Sequence, residues 1–188
     1  MDAIENRYSI AYKQIAKVAN DTLPLQKLVS AIAASAARGL QASGCAVMLL
    51  NPRREYLDII GAWGLSDQYL RKGAINARKS YPDILDGKIV AVDDIYSDKR
   101  TQYPEQAARE KIKSLLGAPI LQRGEVIGEI RIYTREKRHF KPNEKDFIST
   151  VANIIALTIE KIELAQDLNN HHQTNITQQK RLTSFSDL

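Results

Sequence analysis

The chain has 188 residues, 44% hydrophobic and 26% charged, which suits one globular domain with a core and flanking helices rather than a disordered or fibrous chain. No apolar run approaches the ~20 residues that span a bilayer, and the N-terminus MDAIENRYSI has no apolar signal core, so neither a membrane segment nor a secretory leader is expected. The net charge of +5 comes with interspersed acids and no nucleic-acid-binding motif, so nucleic acid is not an expected partner. A single cysteine, Cys45, excludes an intramolecular disulfide framework and any zinc site of several thiolates, and fits a cytoplasmic location.

Residues 2–20 read as a helix. Ile4, Tyr8, Ala11, Ile15 and Val18 follow a heptad seam that must be covered by the domain or by a partner helix. Asn20-Asp21-Thr22 and Pro24 then start a second helix over about 23–41, with Leu25, Leu28, Val29, Ile32, Ala33, Ala36 and Leu40 as its stripe. Its alanines allow close approach to a sheet. CAVMLL, from Cys45 to Leu50, is a buried strand, and EYLDIIGAW, from Glu55 to Trp63, returns beside it across the turn Asn51-Pro52.

Residues 65–112 form a long broken excursion holding Tyr69, Tyr81, Tyr96 and Tyr103, with one strand in KIVAV and one short helix from Pro104. A segment of that length inside a compact domain points to function. The stretch from Lys113 to Phe140 follows, as two strands and a hairpin at Gly124. From Val126 it alternates: Val126, Gly128, Ile130 and Ile132 on a dry face, Ile127, Glu129, Arg131 and Tyr133 on a mixed one.

The last helix opens at Lys141-Pro142 and is expected to run to about Leu168. It carries two apolar faces. Ile148, Val151, Ala152, Ile155, Ile159 and Ile162 form one, which covers the sheet. Phe147, Ile154, Leu157, Leu164, Ala165 and Leu168 form the other, which needs either the N-terminal helix or a second subunit. Residues 169–188 are polar and read as a flexible tail that includes His171-His172, an incidental pair rather than a metal site.

Over residues 23–168 this pattern resembles a GAF domain. The resemblance rests on the helix LPLQKLVSAIAASAARGL, the strand pair CAVMLLN and EYLDIIGAWG, and the ending GAPILQRGEVIGEIRIYTREKRHFKPNEKDFISTVANIIALTIEKIEL. In that ending, Gly117-Ala118-Pro119, Gly124, Gly128, Phe140 and Glu144 carry the likeness by order and spacing. The resemblance implies an α+β fold: an antiparallel sheet of five or six strands, with the helices that lead into it and out of it on one face. The excursion would lie over the other face and enclose a pocket. It also implies signalling through the flanking helices in a homodimer.

The motifs of particular subfamilies are missing. The cyclic-nucleotide signature Asn-Lys, Phe, Asp-Glu meets Glu136-Lys137, Phe140 and Glu144-Lys145, so only lysine and phenylalanine match. Bilin attachment needs a cysteine in the excursion, which has none. Free methionine sulfoxide reductases of this type use several cysteines, whereas Cys45 stands alone. No cofactor and no metal is assigned.

The leading expectation is a non-enzymatic, cytoplasmic sensor that binds a small molecule or a partner and signals through its terminal helices. The alternatives are a structural dimerisation module with a self-filled pocket and a thiol-dependent enzyme. Candidate ligand residues are Trp63, Tyr69, Tyr81, Asp93, Asp94, Arg131 and Tyr133, with Glu129 as the local acid that could instead pair with Arg131. Asp93 and Asp94 fit strand-end turn chemistry equally well. The candidate dimer interface is Ile4, Tyr8, Ala11, Ile15, Val18, Ile154, Leu157, Leu164 and Leu168. No kinase, cyclase or helix-turn-helix pattern follows residue 168, so the expected output partner is a kinase, cyclase or transcription regulator acting in trans, unless the chain is a fragment.

Overall fold

The computed structural model describes the backbone of residues 3–186 and the side chains of residues 4–170. Helices α1 (Ala3–Ala19) and α2 (Leu25–Gly39) precede strands β1 (Gly44–Leu50) and β2 (Tyr56–Trp63). The excursion contributes α3 (Asp67–Leu70), β3 (Ile75–Asn76), a 3₁₀ turn at Pro82–Ile84, β4 (Val90–Val92) and α4 (Pro104–Arg109). Strands β5 (Ser114–Gln122) and β6 (Glu125–Thr134) and helix α5 (Pro142–Ser186) complete the chain.

The six strands form one antiparallel sheet in the order β3-β2-β1-β6-β5-β4. The β5–β6 hairpin closes through Arg123 and Gly124, both at positive φ (52° and 86°), the geometry a two-residue turn needs to follow the strands' twist. One face of the sheet buries Cys45, Val47, Leu116, Ala118, Ile130 and Ile132 against the stripes of α2 and α5. Small residues set the spacing: a Cβ on Gly61 of β2 would lie 2.9 Å from the Ser30 backbone nitrogen of α2. The other face buries Ala46, Met48, Leu115 and Tyr133 under the excursion.

Helix α1 packs on α2 and α5 rather than projecting away. Ala11 and Ile15 are buried, and the rings of Tyr8 and Tyr12 lie 4.6 and 4.9 Å from Phe147 of α5. The N-terminal helix thus takes up the first turn of α5's second apolar face.

Helix α5 continues past the expected end near Leu168 to Ser186. No glycine or proline follows Pro142, so nothing in the backbone chemistry stops the helix where the apolar pattern fades. The side chains of His171 and His172 lie outside the described residues.

Candidate functional site

Beneath the excursion lies a cavity of about 30 Å³ lined by Tyr69, Lys72, Ser80, Tyr81, Arg131 and Tyr133 among others. Its floor is β6. The period of two points Glu129, Arg131 and Tyr133 into the excursion layer, while Ile130 and Ile132 enter the helix layer. Arg131 is 4% exposed and Glu129 1%. Their Nε and Oε1 stand 2.5 Å apart, an ion pair whose angle departs from hydrogen-bond geometry, so neither atom makes a directed bond. Burial pushes the Glu129 carboxyl above its ordinary range, and Arg131 opposes that rise.

The terminal nitrogens of Arg131 donate to the Ser80 hydroxyl and to the Ser80 carbonyl, both at 3.0 Å. The strand thereby fastens the excursion over the cavity. The next residue, Tyr81, has φ 59°, a left-handed conformation that surrounding contacts must enforce on a non-glycine residue. Those contacts are present. Its ring centre lies 5.0 Å from the Arg131 guanidinium and 5.3 Å from that of Arg100, and its hydroxyl is 2.8 Å from that of Thr101. Tyr69 meets Tyr133 edge to face at 5.9 Å, and burial pushes its phenol up to about 12.

Lys72 closes the rim. Its ammonium lies 3.9 Å from the centre of the Tyr69 ring and donates to the Tyr69 carbonyl at 3.2 Å. Burial, then repulsion from Arg131, pushes it down to about 8, with Glu110 opposing weakly. The unfolded chain keeps this proton up to the ordinary value of 10.5. Above about pH 8 the unfolded state therefore binds more protons, and stability rises with pH. The penalty of the buried ammonium is fully present below that point. The raised phenols reverse the trend above about pH 10, where the unfolded chain loses protons that the fold retains. We expect the urea midpoint to rise between about pH 7.5 and 9.5, by about 1 kcal/mol in stability after allowance for partial solvation. A Lys72→Met variant should show no such rise.

Four of the seven candidate ligand residues, Tyr69, Tyr81, Arg131 and Tyr133, meet at this cavity. The Arg131–Glu129 pair also forms as the local alternative anticipated. Trp63 is a correction: it packs in the helix layer, under Arg38 at 5.4 Å. The cause is a bulge in the β1–β2 pairing, where Val47 pairs with Gly61 and Met48 with Ile59. The extra residue, Ile60, inverts the alternation beyond it, so that Ala62 takes the cavity face. Asp93 and Asp94 are a second correction, since neither lines the cavity. Asp93 meets His139 at 2.9 Å and Asp94 meets Lys137 at 2.6 Å, while Asp94 also accepts from the Tyr96 amide, which is strand-end turn chemistry. Lys72 and Ser80 were not foreseen, because neither sits in a periodic segment.

The candidate dimer residues divide. Ala11 and Ile15 are covered by the chain's own helices, and Tyr8 and Val18 pack partly on the same core, so the α1 seam is satisfied internally. Ile4 is partly buried. On α5, Leu157, Leu164 and Leu168 are 66%, 52% and 70% exposed. Cys45 is fully buried in the helix layer, and burial pushes its thiol up, away from the reactive thiolate. Among the described residues, no group of three or more His, Cys, Asp or Glu side chains is placed to hold a metal ion, and no helix is long and apolar enough to cross a membrane.

The architecture is shared with solved structures. The GAF domain of a phosphoenolpyruvate-protein phosphotransferase from Coxiella burnetii superposes with a TM-score of 0.76 at 19% identity, covering 88% of this chain and 99% of that one. Free methionine-R-sulfoxide reductase from Neisseria meningitidis, solved with its substrate, gives 0.71 at 15% identity, covering 88% and 95%. The nlh2 GAF domain of A. aeolicus gives 0.67 at 16% identity, covering 84% and 98%. At these identities the likeness is one of fold. Comparison with curated proteins gives no match. The sequence model of the GAF domain matches residues 24–159, most of the chain and the whole of the six-stranded sheet. The chain belongs to the GAF domain family.

Proposed function

We propose that this protein is a non-enzymatic sensor that binds a small molecule in the cavity beneath the excursion and signals through its terminal helices as a homodimer. Its output partner would be a kinase, cyclase or transcription regulator acting in trans in the cytoplasm. One observation carries the reading. Strand β6 places Arg131 and Tyr133 at the cavity and Ile130 and Ile132 in the core that α5 shares, so one strand connects the cavity floor to the helix layer. The buried thiol of Cys45 speaks against a thiol enzyme.

The dimer half of the reading rests on α5. Ile154, Leu157, Lys161, Leu164 and Leu168 are spaced three, four, three and four, a coiled-coil seam, and the three leucines are exposed. All residues from Glu163 to Asn170 are exposed, with Glu163 still accepting from the Gln122 side-chain amide at 2.9 Å, so the helix leaves the domain past the β5–β6 hairpin. Lys161, at a seam position, donates to the Ala19 carbonyl at 2.7 Å and ties the end of α1 to the same helix. Native mass spectrometry should show a dimer. Leu157→Glu with Leu164→Glu should weaken association by about 1,000-fold or more, since each dimer loses four buried leucines. A monomeric parent protein at about 10 μM, a usual range for stable coiled coils, would overturn the dimer.

A second reading has one observation in its favour. The cavity, at about 30 Å³, is nearly filled by the protein's own rings, as a structural dimerisation module would have it. Thermal melting against a metabolite panel separates the two. Stabilisation by at least one small molecule supports the sensor, and none supports the module.

A further inference from the structure

The cavity's charge and size name a ligand class, on the reading that this cavity is the sensing site. It is lined by two cations, Arg131 and Lys72, and by no acid among the described residues. Glu129 sits beside Arg131 outside that lining and balances one of the two charges. Among the described residues Lys72 has no carboxylate within ion-pair distance, and its partners are the Tyr69 ring and one carbonyl. Its proton affinity, lowered to about 8, is what an ammonium short of a counter-ion shows.

Donors are free as well among the described residues. Of the guanidinium's five N–H groups, one faces Glu129 and two bond to Ser80, which leaves one on each terminal nitrogen of Arg131. The ammonium of Lys72 has two more. Groups so placed at a cavity wall fit an oxyanion with two acceptor atoms. The volume agrees. About 30 Å³ is room for roughly two oxygen-sized atoms, since one water needs about 10–15 Å³ on this measure. A nucleobase or a tetrapyrrole does not fit that space.

Tyr69 lines both this cavity and a groove of about 340 Å³ that it shares with Arg109, Lys111 and Arg135. The one acid of that groove, Glu110, accepts from the amide and hydroxyl of Ser66 and is held by them. A ligand longer than its head group therefore has a second, cation-rich compartment beyond Tyr69.

We propose that the cavity binds the carboxylate of a small organic acid between Arg131 and Lys72, with the remainder of the acid directed past Tyr69 into the outer groove. The test is titration of the full chain with sodium propionate and, separately, with propionamide, the neutral isostere, at constant ionic strength. Backbone amides of residues 69–81 and the Arg131 Nε–H, observed by NMR, are the readout. Propionate should shift these signals saturably. Propionamide should bind about tenfold more weakly or worse, the loss expected when charge-assisted bonds become neutral ones. Lys72→Gln, a rim substitution that leaves the core intact, should weaken propionate by about tenfold and propionamide by clearly less.

Equal binding of acid and amide, or full propionate affinity in Lys72→Gln, overturns the proposal. A panel of neutral fragments in the same assay separates the two levels. If a neutral fragment shifts these signals and propionate does not, the carboxylate class falls and the cavity remains the binding site. If nothing shifts them, both fall.

Discussion

Replacing Arg131 by methionine should destabilise the protein by about 3–5 kcal/mol, and replacing Glu129 by methionine as well should restore most of that loss. The asymmetry follows from burial. Glu129 is 1% exposed and Arg131 is the only cation with which it makes an ion pair among the described residues, so removing the arginine strands a carboxylate in an apolar layer. The Ser80 carbonyl and hydroxyl lose their donor in the same step, which releases the segment that holds Tyr81 in its left-handed conformation. With both members apolar, the desolvation of the pair disappears along with its attraction, and the net change is small.

The same argument fixes the pH dependence of the single variant. Without Arg131, nothing opposes the rise that burial imposes on Glu129. A folded value raised above the unfolded one gives stability that is present at low pH and lost as pH rises through the folded value. The deficit of Arg131→Met should therefore shrink as pH falls from about 7.5 towards about 4.5, where the unfolded carboxyl also takes up its proton. Guanidinium unfolding at about pH 5 and pH 7.5 measures it. A single variant within about 1 kcal/mol of the parent at pH 7.5, or a double variant worse than the single, would show that the pair does not hold the excursion.

The residues that make this pair were legible in the sequence because a strand's period is two and β6 is regular where it matters. Glu129, Arg131 and Tyr133 had to share a face, and the apolar residues between them had to share the other. Trp63 was not legible for the converse reason. One extra residue at Ile60 inverts the alternation beyond it, and its one mark in EYLDIIGAW, the in-strand glycine Gly61, suggests a bulge without fixing which residue is the extra one. Lys72 and Ser80 lie in a segment whose path is set by tertiary contacts: the carbonyl that Arg131 bonds, the ring that Lys72 covers. No local pattern encodes those partners. The heptad seam of α1 was legible as something to be covered, but a seam does not say by what. Here Phe147 decides it.

Phe147→Ala is the second large effect, about 3–5 kcal/mol, the usual range for deleting a buried phenylalanine ring. Phe147 is 1% exposed and is the contact through which three helices meet. Tyr8 stacks on it and Tyr12 tilts against it from α1, and from α2 it approaches Gly39 so closely that a Cβ there would lie 2.8 Å from the ring. The glycine is thus a space requirement of the ring, and Gly39→Ala should push the ring away and destabilise in the same direction. The loss from Phe147→Ala should not spread evenly. The sheet and the excursion keep their own core, which includes Leu115, Ile84 and Tyr133, whereas α1 keeps only its contacts through Ala11, Ile15 and Val18 and the Lys161 bond among the described residues. Amide exchange in Phe147→Ala should therefore accelerate most over residues 3–19, while amides of β1, β5 and β6 change only with global stability. If α1 exchanges no faster relative to the sheet than in the parent protein, the helix is held elsewhere. In that case α1 and α5 would not move as the single unit that transmission from the cavity floor to the α5 seam requires.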